Sequence, residues 1–137
     1  MGWQEKVLRV DLTAGKITPE PLNMEWAETY IGQRGLGTKY LSEEMDPAVD
    51  ALSPQNKLIF ATGPLTATGA STGGRYSVIT KGALTNAIAC SNSGGQFGAY
   101  LKLAGWDMLI LEGRSPEPVY LLVENDDVRL LPAKDFI

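Results

Sequence analysis

Histidine is absent from the 137 residues, and cysteine occurs once, at Cys90. The first absence excludes imidazole metal sites and Ser-His or Cys-His catalysis. The second excludes an intrachain disulfide and a cubane cluster, which needs three or four thiolates. Basic residues are in deficit, 12 Lys and Arg against 16 Asp and Glu, for a formal charge of -4. That balance argues against nucleic acid, whose binders carry a basic face. No apolar run has the length of a membrane span. The N-terminal stretch mixes Trp3, Glu5, Lys6 and Arg9, which is not a signal peptide and points to a cytoplasmic chain.

What is present is an ordinary globular composition, 44% hydrophobic and 20% charged, with 15 glycines that follow no three-residue period. A chain of this length buries roughly two-thirds of its unfolded surface as one domain. No repeat or low-complexity linker divides it, so a single unit over 1–137 is expected. The apolar end at Phe136-Ile137 suggests either further chain or a docked terminus.

Val7, Leu8, Val10 and Leu12 run into Thr13-Ala14-Gly15-Lys16 and a second extended stretch, which predicts a β-hairpin. Pro21 to Ile31 reads as a short helix with Asn23 as N-cap, with Trp26, Tyr30 and Ile31 on one face and Gly32 stopping it. A second helix is expected from about Gly37 to Met45, ended by Asp46-Pro47. Asp46 to Asn56 reads as a loop, and Leu58 to Ala61 as a buried strand. Arg75 to Thr80 and Ala87 to Cys90 read as strands, and Gly94 to Ala104 as a helix closed by Gly105. Phe97, Tyr100, Leu101 and Ala104 would give that helix a buried stripe. Three further strands are expected at Met108 to Glu112, Val119 to Val123 and Val128 to Leu131, as a sheet edge or meander.

Glycine, serine, threonine and asparagine concentrate between Gly63 and Gly98. Thr72-Gly73-Gly74-Arg75-Tyr76, and Ser91-Asn92-Ser93-Gly94-Gly95 at the start of the expected helix, together suit an anionic ligand. Glycines let backbone N–H groups approach an oxyanion, a helix N-terminus adds partial positive charge, and Arg75 offers a bidentate donor. The alternative is that the glycines only make tight turns and that Arg75 pairs with a local carboxylate. No Gly-Lys-Ser or Gly-Lys-Thr occurs, so a P-loop is excluded; Gly32, Arg34, Gly35 and Gly37 follow a helix rather than a strand, so a dinucleotide loop is excluded too. Cys90, within Ala87-Ile88-Ala89-Cys90, is expected to be a buried inert thiol. Glu43-Glu44 and Asp126-Asp127 read as solvated pairs, and Trp3, Trp26 and Trp106 as core or interface anchors.

An ordered series carries a resemblance over nearly the whole chain. It comprises Val7 to Gly15, Leu52-Ser53-Pro54-Gln55-Asn56-Lys57-Leu58, Ala61-Thr62-Gly63-Pro64-Leu65-Thr66, Thr72 to Tyr76, Asn92 to Gly95, Lys102 to Asp107, Glu112-Gly113 and Pro118-Val119-Tyr120. It closely resembles the N-terminal domain of the tungsten-containing aldehyde ferredoxin oxidoreductase family. The resemblance implies an α+β fold with a large mixed β-sheet and a few short helices, as a partial version of a domain of two intertwined repeats. It implies a tungsten bis-pterin cofactor (tungstopterin) with a bridging magnesium, touched by Arg75, Asn92 and Gly94, with the Asn92 backbone carbonyl near the magnesium. It further implies oxidation of an aldehyde to a carboxylic acid, with electrons passing through a [4Fe-4S] cluster to ferredoxin or to iron-sulfur or flavin subunits. The cluster ligands and the second set of pterin contacts would lie outside these residues, in the remainder of the enzyme or in a complementary subunit. The chain alone is therefore expected to be catalytically silent, with a homo-oligomer also open. The alternative is a structural or interaction module that keeps the fold without the cofactor.

Overall fold

The computed structural model describes residues 2–136, so Ile137, half of the apolar end, lies outside the described residues. Eight strands and three α-helices follow in the order β1 (Lys6–Asp11), β2 (Lys16–Pro21), α1 (Met24–Tyr30), α2 (Gln33–Glu44), β3 (Lys57–Ala61), β4 (Tyr76–Lys81), β5 (Ile88–Ser93), α3 (Phe97–Leu103), β6 (Met108–Glu112), β7 (Val119–Glu124) and β8 (Asp127–Pro132). Six strands form one sheet in the order β2-β1-β6-β3-β4-β5, and β7 and β8 form a separate hairpin. β1 runs parallel to β6, and every other pairing is antiparallel. The fold is thus α+β with a mixed sheet.

Both faces of the sheet centre are covered, which explains why its strands read as continuous apolar runs rather than alternating ones. On one face Val7, Ile59, Ala61, Ile79, Met108 and Ile110 meet Ala27, Leu36, Tyr40 and Leu41 of α1 and α2. On the other, Leu8, Val10 and Leu109 meet Leu101 of α3 and Trp106, with Leu121, Val123, Val128 and Leu130 of the β7–β8 hairpin packed alongside. Burying one such aliphatic side chain contributes about 1.5–3 kcal/mol.

The first helix is capped as expected: the Asn23 side chain accepts from the Trp26 amide at 3.0 Å. Its expected apolar stripe meets the core only in part, through Trp26. Ala27 is the buried residue, whereas Tyr30 and Ile31 are exposed. Trp26 instead packs edge-on against Tyr40, and the Lys39 ammonium lies over the rings of both Trp26 and Tyr30. The second helix starts at Gln33, earlier than glycine content suggests. Gly37 sits inside it because a Cβ there would lie 2.5 Å from Ile79 Cδ1, so the glycine serves close approach to the sheet rather than helix breaking.

The third helix departs most from its expected form. It spans Phe97–Leu103, so Gly94 precedes it by three residues and Asn92 and Ser93 belong to β5. Its buried side is Gly98, Leu101 and Lys102, while Phe97 and Tyr100 are exposed beside an apolar groove with Phe60 and Leu121. Its end is as expected. Gly105 is left-handed (φ 98°), its amide bonds Lys102 O and the Trp106 amide bonds Leu101 O, the paired bonds of a Schellman motif. Cys90 corrects another expectation. It is exposed, because β5 is the sheet edge.

Candidate functional site

The two glycine-rich loops meet at the β4–β5 edge. β5 pairs with β4 so that Asn92 stands opposite Ser77 and Ser93 opposite Tyr76, which brings Asn92 beside Arg75, the residue before β4. Arg75 Nε donates to Asn92 Oδ1 at 2.5 Å. The loops touch closely: a Cβ on Gly74 would lie 2.8 Å from Gly95 O, which requires glycine there, and one on Gly94 would lie 3.3 Å from Arg75 Nη1, tight against the guanidinium. Arg75, Asn92 and Gly94 therefore form one constellation, although they come from two segments.

A third segment braces it. Gln33 Nε2 donates to Arg75 O at 3.3 Å, and Asn92 Nδ2 donates to Gln33 Oε1 at 3.4 Å and to Ser77 Oγ at 3.3 Å. Gln33 is held there by a tight turn in which Ile31 (φ 68°) and Gln33 (φ 45°) are both left-handed. Gly32 between them packs so closely that a Cβ would lie 2.8 Å from both Gly63 Cα and Thr62 O, and the Gln33 amide bonds Thr62 O at 2.9 Å. Strained backbone of this kind, costing of order 1–3 kcal/mol per residue, concentrates at ligand sites. Sequence reasoning missed Gln33, since nothing about a glutamine after a glycine announces that it spans two distant loops.

Two cavities flank Gln33. One, of about 430 Å³, is lined by Ile31, Pro64, Leu65, Thr72, Gly73 and Arg75; the other, of about 460 Å³, by Arg34, Ser77, Cys90, Ser91 and Asn92. The first joins apolar walls to the Arg75 guanidinium, and the second is polar. Among the described residues no carboxylate pairs with Arg75 or Arg34. This removes the local ion pair as an explanation of Arg75. The helix-terminus part of the anion argument also falls, since α3 begins beyond Gly94. Arg75 and the glycine loops remain, a constellation suited to holding an oxyanion. No group of three or more His, Cys, Asp or Glu among the described residues is placed to hold a metal ion. No helix among the described residues is long and apolar enough to cross a membrane.

Comparisons with known proteins place the chain in a family. The tungsten-containing aldehyde ferredoxin oxidoreductases of Pyrococcus abyssi and Pyrococcus horikoshii are 56% and 54% identical over 132 residues, covering 96% of this chain and 22% of theirs. The WOR-like subunit of an aliphatic sulfonate oxidoreductase from Pyrococcus furiosus is 36% identical over 134 residues, covering 96% of this chain and 21% of its own. A solved active-site complex, BamBC of benzoyl coenzyme A reductase with 1,5 dienoyl-CoA, superposes with a TM-score of 0.95 at 39% identity, over 98% of this chain and 20% of that one. The chain thus spans about one fifth of the length of these relatives. Residues 7–137 match the family described as aldehyde ferredoxin oxidoreductase, N-terminal domain, and it is to this family that the chain belongs.

Proposed function

We propose that this chain is the N-terminal, cofactor-cradling portion of a tungsten bis-pterin aldehyde oxidoreductase. Arg75 and the Gly94 turn would hold a pterin phosphate, and the Asn92 backbone carbonyl would help to hold a magnesium ion that offsets phosphate charge. The observation that carries this reading is the state of Arg75. Asn92 takes its Nε, no carboxylate neutralises it among the described residues, and Nη1 faces the space beside Gly94 that a side chain would fill. A fixed guanidinium fork beside a glycine turn fits a phosphate.

When bound, the tungsten group supplies the two-electron oxidation of an aldehyde to a carboxylic acid, with electrons leaving through a [4Fe-4S] cluster to ferredoxin. This chain contributes binding and orientation and no catalytic side chain. Cys90 is its single thiol, so the cluster ligands would come from the remainder of the polypeptide or a complementary subunit. The aldehyde assignment rests on the relatives at 56% and 54% identity. Relatives at 36% and 39% identity are named for other substrates, so the domain by itself does not specify the aldehyde.

The test is the metal content of the complete enzyme bearing Arg75→Ala. Tungsten per polypeptide should fall to well under half, with unchanged circular dichroism, because Arg75 is exposed and adds little to the core. Undiminished tungsten would overturn the assignment. The isolated chain should retain little of the group, and a stoichiometric tungsten complex of the 137 residues alone would contradict the view that it is half a cradle.

A further inference from the structure

Lys102 and Asp107 form the most deeply buried ion pair of the described residues, their side chains 3% and 2% exposed. The cofactor reading gives it no role. Asp107 Oδ2 accepts from the Gln4 amide at 2.8 Å and the Lys6 amide at 3.4 Å, and Asp107 O accepts from Thr62 Oγ1 at 2.8 Å. Lys102 Nζ, besides Asp107 Oδ1, donates to Gly63 O at 3.3 Å. Gly63 lies near the start of the loop that ends at Arg75, and its carbonyl also accepts from the Thr66 amide at 3.1 Å. Lys102 therefore grips one site loop at Gly63 from a helix that begins two residues after the other, Gly94-Gly95.

The same helix touches the loop a second time. A Cβ on Gly98 would lie 2.9 Å from Gly74 O and 3.2 Å from Tyr76 Cβ, so α3 rests on the loop's far end with no room to spare. Two fixed points, Gly63 and Gly74, bracket the segment that lines the Arg75 cavity. A buried ion pair adds little stability over an apolar pair of equal volume, because desolvation offsets the attraction. An apolar side chain at 102 could not donate to Gly63 O.

We infer that the Lys102–Asp107 pair is a positioning device for the anion site: acting through Gly63 and α3, it sets the separation of the two glycine-rich loops and so the place of Arg75 relative to Gly94. This rests on the reading of Arg75 as a phosphate ligand. Lys102 itself touches no ligand.

The test uses inorganic phosphate titrated into the 137-residue chain, followed by amide chemical shifts, with four proteins: unaltered, Arg75→Ala, Lys102→Met/Asp107→Asn, and the triple variant. The paired substitution removes both charges at once and leaves an amide oxygen at 107 to accept from Gln4 and Lys6. Arg75→Ala should weaken phosphate about tenfold and the paired variant about fivefold, the scale of losing one charged and one neutral hydrogen bond. Arg75→Ala should then cost less in the paired background than alone, because coupled residues are not additive. A merely structural pair would give additive effects. Unchanged phosphate affinity in a folded paired variant, with Arg75→Ala still weakened, would overturn this inference and leave the site standing. No effect of Arg75→Ala would instead overturn the site. Should the paired variant not fold, hydrogen exchange in the unaltered chain decides. Saturating phosphate should slow exchange of the Gln4 amide, which reports on Asp107, and no slowing would overturn the inference.

Discussion

β5 and β6 are strands of the same sheet, of six and five residues, and they have opposite fates. β6 is paired on both edges, by β1 and β3, and its first three residues are buried. β5 is paired on one edge only and is exposed along its whole length. The centre of the sheet carries the apolar burial, whereas the edge carries the groups that reach solvent, Asn92 among them. Apolar burial and solvent-facing polar groups are thus separated in space, because a buried polar group without partners is costly and an exposed apolar one contributes little.

The largest test of that separation is Ile110→Ala. Ile110 is fully buried in β6 against the α1–α2 face, so the variant should lose about 2–5 kcal/mol in urea denaturation. Phosphate binding by the molecules that remain folded should not change. A weaker phosphate affinity in that folded fraction would show that centre and edge are one cooperative unit.

Next in size is Arg9→Met, at the end of the sheet away from the site. Arg9 Nε meets Glu20 at 2.8 Å, its two terminal nitrogens meet Glu44 at 2.8 and 2.9 Å, and Glu112 lies at 3.2 Å. Burial alone would lower the Arg9 pKa, but the hydrogen bonds to Glu44 and Glu20 outweigh it and raise the value further above the ordinary guanidinium range. A raised cation contributes stability below its unfolded pKa and loses it only above, so Arg9's own titration adds no pH dependence below about pH 12. Removing it leaves Glu44 and Glu112 with Lys57, and takes from Glu20 its ion-pair partner among the described residues. The cluster is partly solvated, so a loss of about 1–2 kcal/mol is expected, measured as a shift in the urea midpoint.

The sequence was most legible where one residue type admits one structure. Asn23 as N-cap and Gly105 as left-handed cap both follow from local backbone geometry, and both are found. Arg75, Asn92 and Gly94 do come together. Burial was harder to read. Phe97 and Tyr100 lie at helical spacing yet stay exposed: Phe97 packs against Phe60 and Tyr76 of the sheet, and both line an open apolar groove rather than a closed core. Cys90 follows apolar residues but sits in an edge strand, and edge position depends on strand order, which no local pattern encodes. Gln33 depends on three segments at once, so it became visible only with the fold.

A smaller effect is expected from Tyr40→Phe. The Tyr40 hydroxyl accepts from the Asn23 amide at 2.8 Å, and its loss should cost about 1 kcal/mol near neutral pH. Burial raises the Tyr40 pKa above 10.0. The unfolded chain therefore releases this proton first as pH rises past about 10, and the folded state loses stability there. The phenylalanine variant lacks that loss, so the stability gap between the two proteins should narrow above about pH 10. A constant gap across that range would mean that Tyr40 is solvated, and that the α1–α2 cover over the sheet centre is looser than its packing indicates.

The smallest effect should come from Cys90→Ser, and its smallness is what makes it diagnostic. A thiol buried in a strand would lose stability on gaining a polar oxygen, whereas at an exposed edge the exchange should stay within about 0.5 kcal/mol. The unaltered protein gives a second readout. Cys90 in the native chain should react with a thiol reagent within a few-fold of its rate in urea, since exposure and not unfolding governs access. If native Cys90 were protected by about a hundredfold, access would require opening of the structure. β5 would then be covered in solution, and the contrast between a buried centre and an open edge would fail at the strand that carries Asn92.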